Sequence, residues 1–179
     1  MESVRLNHTK YDITSQKSKG ICRALGATGV MNVDDAKKKF GADALKDLLD
    51  KKVIKSFNSF SEGSCKTVIH LSEKGKTYTR KHLTYGSLYS WNRMQLKHDL
   101  KLNKIYLSLT KEEQRSWQNE SQIRKFSDGK IRGIDGSYVR ADGTKVAVEV
   151  VTKNYPASKL QEKIKTIKEH FDDVEVKLA

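Results

Sequence analysis

Residues 42–54, ADALKDLLDKKVI, combine two kinds of periodicity and decide how the first half of the chain folds. Leu45, Leu48 and Leu49 recur at the three- and four-residue spacing of a buried helical face, which predicts a helix over 42–52. From Val53 the spacing changes to partial alternation, so residues 53–60 are predicted to form a strand. This stretch therefore predicts a helix followed directly by the first strand of a hairpin.

The segments on either side extend this pattern. A helix is predicted over 14–25 with Thr14 or Ser15 as its cap, and a short helix over 33–40 is capped by Asn32 and stopped by Gly41. After the strand over 53–60, a turn at 61–64 leads into a second strand over 65–71. A further helix is capped by the segment that begins at Ser72, and this helix runs to about residue 82. Three helices, a hairpin and a further helix are the order of a winged helix-turn-helix.

The second half has the pattern of a small α/β domain. Its predicted elements are a helix over 110–126, strands over 134–140 and 144–151, a helix that begins at 158 and a strand over 174–178. Capping boxes are predicted for both helices, from Thr110 with Glu113 and from Ser158 with Gln161. Residues 96–107 are ambiguous and then strand-like. The overall prediction is an α+β protein with a winged-helix domain over 1–90 and an α/β domain over 91–179.

Charge indicates a polyanionic partner. The chain carries 35 lysine and arginine residues against 22 acidic residues, a formal net charge of +13, and residues 1–100 hold 19 of the basic and 10 of the acidic ones. Such a basic first half favours double-stranded DNA as the partner. The lysines expected to contact DNA lie on two helices and the hairpin: Lys37, Lys38, Lys39, Lys46, Lys51, Lys52, Lys55 and Lys66. Lysine suits phosphate contact better than bidentate reading of bases.

Several classes of protein are excluded by what the sequence lacks. No apolar run is long enough for a membrane span or a signal core, which predicts a cytoplasmic protein. There is no phosphate-binding P-loop and no zinc-ligand spacing, and the two cysteines, Cys22 and Cys65, are expected to be buried. Tyr85, Tyr89 and Tyr106 lack the paired histidines that relaxases use, and Tyr78, Tyr85 and Tyr89 near Trp91 are expected to form the core between the two halves.

The strongest candidate for chemistry is the pair Asp135 and Glu149. They lie 14 residues apart, at the start of one predicted strand and within the next, so a hairpin brings them together. A glutamate in an apolar strand is costly to bury unless something pairs with it. Mg²⁺ or Mn²⁺ between two carboxylates provides such a partner and is suited to phosphodiester hydrolysis.

This arrangement resembles the restriction-endonuclease-like fold. Its signature is an aspartate, about a dozen residues, then Asp/Glu-x-Lys, with a glutamate on a preceding helix, here Glu120. The resemblance implies catalytic roles for Glu120, Asp135 and Glu149, but Val151 stands where the family has its lysine. Either Lys153 or Lys163 is the expected replacement, and an inactive descendant is the remaining alternative.

The whole chain resembles the replication-relaxation family of plasmid and conjugative-element proteins. The resemblance is carried by the winged-helix pattern, the Lys97-His98-Asp99-Leu100 segment, the Trp117-x-x-Glu120 helix and the Glu149 strand. It implies a role in the replication, mobilisation or processing of DNA from a mobile element. His98 is interpreted as a surface or packing histidine.

Two other functional classes stay open at this point. One is a non-catalytic DNA-binding regulator or accessory replication factor, and the other is a protein-interaction adaptor. Steep weakening by salt separates DNA binding from adaptor function. Winged-helix proteins often bind palindromic DNA as dimers, which leaves a homodimer open, although the predicted apolar faces are all used by cores.

Overall fold

The computed structural model describes residues 13–61, 64–83 and 86–179, which form an α+β fold with two β-sheets. The first half contains α1 (Gln16–Thr28), β1 (Val30–Asn32), α2 (Val33–Phe40), α3 (Ala42–Asp50), β2 (Ile54–Ser61), β3 (Ser64–Leu71) and α4 (Glu73–His82). Its three strands form an antiparallel sheet in the order β1-β3-β2.

The helix boundaries of the first half follow from the capping residues. The side chains of Ser15, Asn32 and Ser72 each accept a backbone N–H in the first turn of α1, α2 and α4. Gly29 and Gly41 end α1 and α2 with φ of +83° and +92°, which lie in the region that favours glycine. The predicted caps at Ser15, Asn32 and Ser72 are confirmed. Strand β1 was not predicted.

The second half begins with a 3₁₀ turn (Arg93–Gln95). It continues with α5 (Leu96–Ser108), α6 (Lys111–Ser116), β4 (Gln118–Asn119), α7 (Glu120–Phe126), β5 (Gly136–Val139), β6 (Lys145–Val151), α8 (Ala157–Ile167) and β7 (Asp173–Leu178). The sheet order is β4-β5-β6-β7. Strands β4, β5 and β6 are antiparallel, whereas β7 runs parallel to β6 because α8 provides the crossover between them.

The strand-like interpretation of residues 96–107 is wrong, since this segment is helix α5. Its buried face carries Leu102, Ile105 and Tyr106, but it also carries the polar residues Asp99 and Asn103. These two polar positions interrupt the apolar spacing that identifies a buried helical face. The helix is buried because both polar residues find hydrogen-bond partners in the fold.

Two further boundaries differ from prediction. The helix expected over 110–126 is interrupted at Trp117, where the chain forms β4 before Asn119 caps α7 with its side chain. The capping box predicted at Ser158 does not form, because α8 begins after Pro156 with no side-chain cap. The capping box between Thr110 and Glu113 is confirmed at the start of α6.

A continuous hydrophobic core joins the two halves. Helix α5 packs on α1 and β1, and the Asn103 Nδ2 group donates to Thr28 Oγ1 at 2.8 Å. Buried residues of α1 and of β6, such as Leu25 and Val148, belong to the same cluster. The core therefore extends across position 90, where the sequence analysis placed the domain boundary.

Cys22 is buried but Cys65 is exposed on β3, so the prediction that both are buried is wrong for Cys65. Tyr85 and the Glu62-Gly63 tip of the predicted hairpin turn lie outside the described residues. No helix in the described part of the chain is both long and apolar enough to cross a membrane.

Candidate active site

Asp135 and Glu149 lie beside each other at one end of the second sheet. Gly136 pairs with Val148, so the residue before Gly136 and the residue after Val148 are neighbours. The Val150 N–H donates to Asp135 Oδ2 at 2.7 Å and holds that carboxylate against β6. The hairpin therefore brings the two carboxylates together as the sequence predicted.

Glu149 is a charged group in an apolar setting. It lies on the face of β6 that packs towards α8, with 3% of its surface exposed. Burial, followed by the nearby charge of Asp135, raises the pKa of Glu149 to about 7, although Lys163 acts in the opposite direction. The Lys163 ammonium from α8 donates to Glu149 Oε1, whereas Oε2 is buried and has no hydrogen-bond partner among the described residues.

His98 completes the cluster and has more than a packing role. From α5 it places Nδ1 3.0 Å from Asp99 Oδ1 and Nε2 3.1 Å from Asp135 Oδ2. Burial of the imidazole lowers its pKa, but the hydrogen bonds to Asp135 and Asp99 outweigh burial and raise the pKa of His98 to about 10. The imidazolium is thus held between two carboxylates.

Asp99 is fixed from the opposite side. The Tyr89 hydroxyl donates to Asp99 Oδ1 at 2.8 Å, and the Asn92 N–H donates to Oδ2 at 3.1 Å. Burial and the Asp99 charge raise the pKa of Tyr89 above its usual range, so the phenol stays protonated as a donor. Sequence reasoning missed Asp99 and Tyr89. The available signal was an acidic residue directly after His98 in a segment without clear periodicity.

The remaining predicted catalytic residues differ in whether they reach the carboxylate pair. Lys163 is the lysine that reaches Glu149, whereas Lys153 is exposed in the turn that follows β6. Glu120 is exposed in the first turn of α7, and within the described residues no hydrogen bond or ion pair connects it to Asp135 or Glu149. The structure thus groups Asp135, Glu149, Lys163 and His98, and it leaves Glu120 and Lys153 outside this group.

The two carboxylates match the ligand preference of a hard divalent cation. The Val150 N–H and His98 Nε2 both contact Asp135 through Oδ2, so Oδ1 takes part in neither contact. Glu149 Oε2 has no partner in the described structure. Mg²⁺ commonly binds through one or two carboxylates and completes its shell with water. Across residues 13–61, 64–83 and 86–179 there is no group of three or more His, Cys, Asp or Glu side chains suited to a metal. Any cation here must therefore rely mainly on the pair and on water.

The predicted DNA-binding lysines differ in how they are paired. Lys46 on α3 pairs with Asp50 at 2.6 Å, and Lys51, directly after α3, pairs with Asp47 at 2.6 Å. The helix itself holds three aspartates and one lysine. The remaining lysines of the set are exposed on α2, on the hairpin or just after α3: Lys37, Lys38, Lys39, Lys52, Lys55 and Lys66. Lys39 donates to the Leu107 carbonyl at 2.9 Å.

Comparison with family models, with curated proteins and with solved structures finds no match for this chain.

Proposed function

We propose that this chain binds DNA and hydrolyses its phosphodiester bonds with a divalent cation held by Asp135 and Glu149. The observation that carries the catalytic part is the group formed by these two carboxylates with the Lys163 ammonium. Three consecutive elements supply its members: Asp135 directly precedes β5, Glu149 lies within β6 and Lys163 lies on α8. A buried carboxylate with a raised pKa and a specific charged partner is typical of a functional site.

The first half supports the DNA-binding part of the proposal. Its order is helix, short strand, two helices, hairpin and helix, with the short strand added to the hairpin sheet. This order supports the proposal of a winged helix, in which the helix before the hairpin would enter the DNA major groove. The net charge of +13 favours such a polyanionic partner.

The second half supports a restriction-endonuclease-like domain. A helix, three antiparallel strands, a crossover helix and a parallel fourth strand occur in the chain order α5, β4, β5, β6, α8 and β7, with α6 inserted before β4 and α7 inserted before β5. Together with the winged-helix arrangement, this order supports membership of the replication-relaxation family and a role in processing the DNA of a mobile element.

Each residue of the group has a distinct task in the proposed reaction. Asp135 and Glu149 would hold Mg²⁺, which when bound stabilises charge on the attacked phosphate and lowers the pKa of its water. Lys163 places a positive charge next to them, where it stabilises the phosphate as negative charge develops. His98 holds Asp135 through Oδ2 and is itself oriented by Asp99, so the carboxylate is positioned before substrate binds.

The second candidate is a non-catalytic DNA-binding protein that uses the same fold. It is favoured by one observation: Asp135 and Glu149 already have cationic partners, His98 and Lys163. In that case the four residues form two partly buried ion pairs that stabilise the junction of α5, β6 and α8, and no cation is required.

Cleavage of supercoiled plasmid separates the two candidates. Wild-type protein with Mg²⁺ or Mn²⁺ is expected to nick the plasmid, and the Asp135→Asn/Glu149→Gln variant is expected to lose this activity. Removal of a charge-stabilising group costs about 100-fold or more in rate, which is the loss expected for Lys163→Met. Plasmid that is bound but never cut would establish the non-catalytic candidate.

Lys153→Met provides the matched control. It removes the same charge from an exposed turn after the same strand, so it is expected to keep wild-type nicking. If Lys153→Met loses activity and Lys163→Met retains it, the assignment of the catalytic lysine is wrong even though the nuclease is real.

A further inference from the structure

A basic groove separates α1 and α2 from α6 and lies apart from the active-site residues. Its volume is about 850 Å³, within the range typical of ligand-binding clefts. Neither Asp135, Glu149, His98 nor Lys163 is among the described residues that line it. The groove is therefore a second concave surface of this protein.

All charged side chains on its described lining are positive. They come from both walls and from one end of the groove: Lys17, Arg23, Lys39, Lys111 and Arg115. A cleft lined by one sign of charge between low-dielectric walls concentrates the electrostatic field and attracts ions of the opposite sign. The groove is consequently suited to a chain of phosphates.

Of the five basic groups, Arg115 lies 3.9 Å from Glu112 and Lys39 donates to the Leu107 carbonyl, whereas the other three are unpaired in the described structure. Over the described ranges, Lys17, Arg23 and Lys111 have no hydrogen bond or ion pair from their side chains. Arg23 is half-buried, a position in which an arginine without a counter-charge is unfavourable. By contrast, Lys46 and Lys51 are each paired with an aspartate of α3. Positive charge is thus more available in the groove than on α3.

Aromatic and aliphatic side chains lie among the polar ones in the groove. Phe40 is half-buried there and packs against Gly20, where an added Cβ would lie 2.7 Å from Phe40 Cε1. Tyr106 and Trp117 also line the groove but are each only 3% exposed, so Phe40 is the aromatic ring that a base can reach. Cationic groups beside an accessible aromatic ring are the combination that binds single-stranded nucleic acid, with phosphates on the cations and a base on the ring. A duplex hides its bases and gains little from such a ring.

We propose that the groove between α1 and α6 binds a single strand of nucleic acid through Lys17, Arg23 and Lys111. The proposal rests on the proposed DNA-binding function and extends it, because it assigns a single-strand site separate from the surface formed by α3 and the hairpin. The protein then holds a duplex and an adjoining unpaired strand at two places, as an enzyme or accessory factor acting at a melted or nicked junction requires.

The test measures binding of a labelled thymidine 12-mer and of a blunt duplex over a range of salt, with EDTA present so that no cleavage occurs. The groove variant is Lys17→Ala/Arg23→Ala/Lys111→Ala. Loss of three contacts is expected to reduce the salt slope for the single strand by about 2, which corresponds to about 100-fold weaker binding at 0.1 M salt. The matched control, Lys46→Ala/Lys52→Ala/Lys55→Ala, is expected to keep single-strand binding and to weaken duplex binding.

Each outcome has a defined meaning. If the groove variant binds the 12-mer with wild-type affinity and slope while the control loses duplex binding, the groove proposal is wrong and the DNA-binding proposal stands. If wild-type protein binds neither probe, both fail. Should the triple variant not fold, Lys17→Glu/Lys111→Glu replaces only exposed side chains and decides the same question.

Discussion

Replacement of Gly136 by alanine tests the packing that places Asp135. A Cβ at Gly136 would lie 2.3 Å from Trp117 Cζ2 and 2.5 Å from Cη2. Carbon atoms in contact prefer a separation of about 3.5 Å or more, so the added methyl overlaps the indole by about 1 Å. Trp117 is only 3% exposed and Gly136 is paired to both β4 and β6, so neither side can move away freely.

The expected cost follows from two opposing effects. Overpacking of a core costs about 1–3 kcal/mol, whereas loss of glycine's freedom in the unfolded chain returns about 0.4–1 kcal/mol. We expect the free energy of unfolding of Gly136→Ala to fall by about 2 kcal/mol. For a chain of this size that lowers the thermal midpoint by about 4–8 °C.

Thermal and urea unfolding measures this effect and identifies its cause in four variants: Gly136→Ala, Gly86→Ala, Trp117→Phe and the double variant Gly136→Ala/Trp117→Phe. Gly86→Ala is the control, because its Cβ would meet nothing within 4 Å in the described structure, and its stability is expected to change by less than about 0.5 kcal/mol. Trp117→Phe removes the outer ring that carries Cζ2 and Cη2, so it should partly rescue Gly136→Ala, with a coupling of about 1 kcal/mol or more. Equal stability of the two alanine variants, or strictly additive effects of Gly136→Ala and Trp117→Phe, would refute the proposed clash.

Two further predictions concern titratable groups. In metal-free protein, Glu149 has a raised pKa of about 7, so folding retains a proton that the unfolded chain releases near its ordinary pKa of 4.5. The contribution of Glu149 to the free energy of unfolding is therefore full below pH 4.5 and falls by about 3 kcal/mol as the pH rises to 7. Glu149→Gln should flatten the curve of unfolding free energy against pH over that window. An unchanged curve would contradict the raised pKa assigned to Glu149. Cys65 is exposed, whereas Cys22 is buried with its pKa raised to about 12, mainly by burial. One thiol per chain should react with a thiol reagent in native protein and two in denaturant, and reaction of both in native protein would show that Cys22 is accessible.

The local pattern of the sequence determined most of the secondary structure. Caps at Asn32 and Ser72, the stop at Gly41 and the alternation of residues 145–151 depend on contacts within one or two turns of chain. The same local logic brought Asp135 and Glu149 together, because hairpin geometry fixes which residues of two adjacent strands are neighbours. These features could be predicted because they need no knowledge of distant elements.

Long-range packing decided the features that the sequence left open or obscured. Helix α5 was missed because Asp99 and Asn103 lie on its buried face, and their burial is favourable only with partners such as Tyr89 and Thr28 from other segments. The choice between Lys153 and Lys163 was equally inaccessible, since it depends on how α8 crosses over the sheet. A side chain's partners on distant elements are set by the packing of the whole core.

The distribution of charge shows most clearly which properties the sequence determines and which only the tertiary structure decides. The sequence by itself established a basic chain of net charge +13, which favours a polyanionic partner. Only the tertiary structure showed that two lysines in and just after α3 are neutralised by aspartates of that helix, while Lys17, Arg23 and Lys111 from distant elements converge on one groove. Total charge is a sum over residues, whereas the potential at a surface depends on where the fold places each charge and its nearest counter-charge.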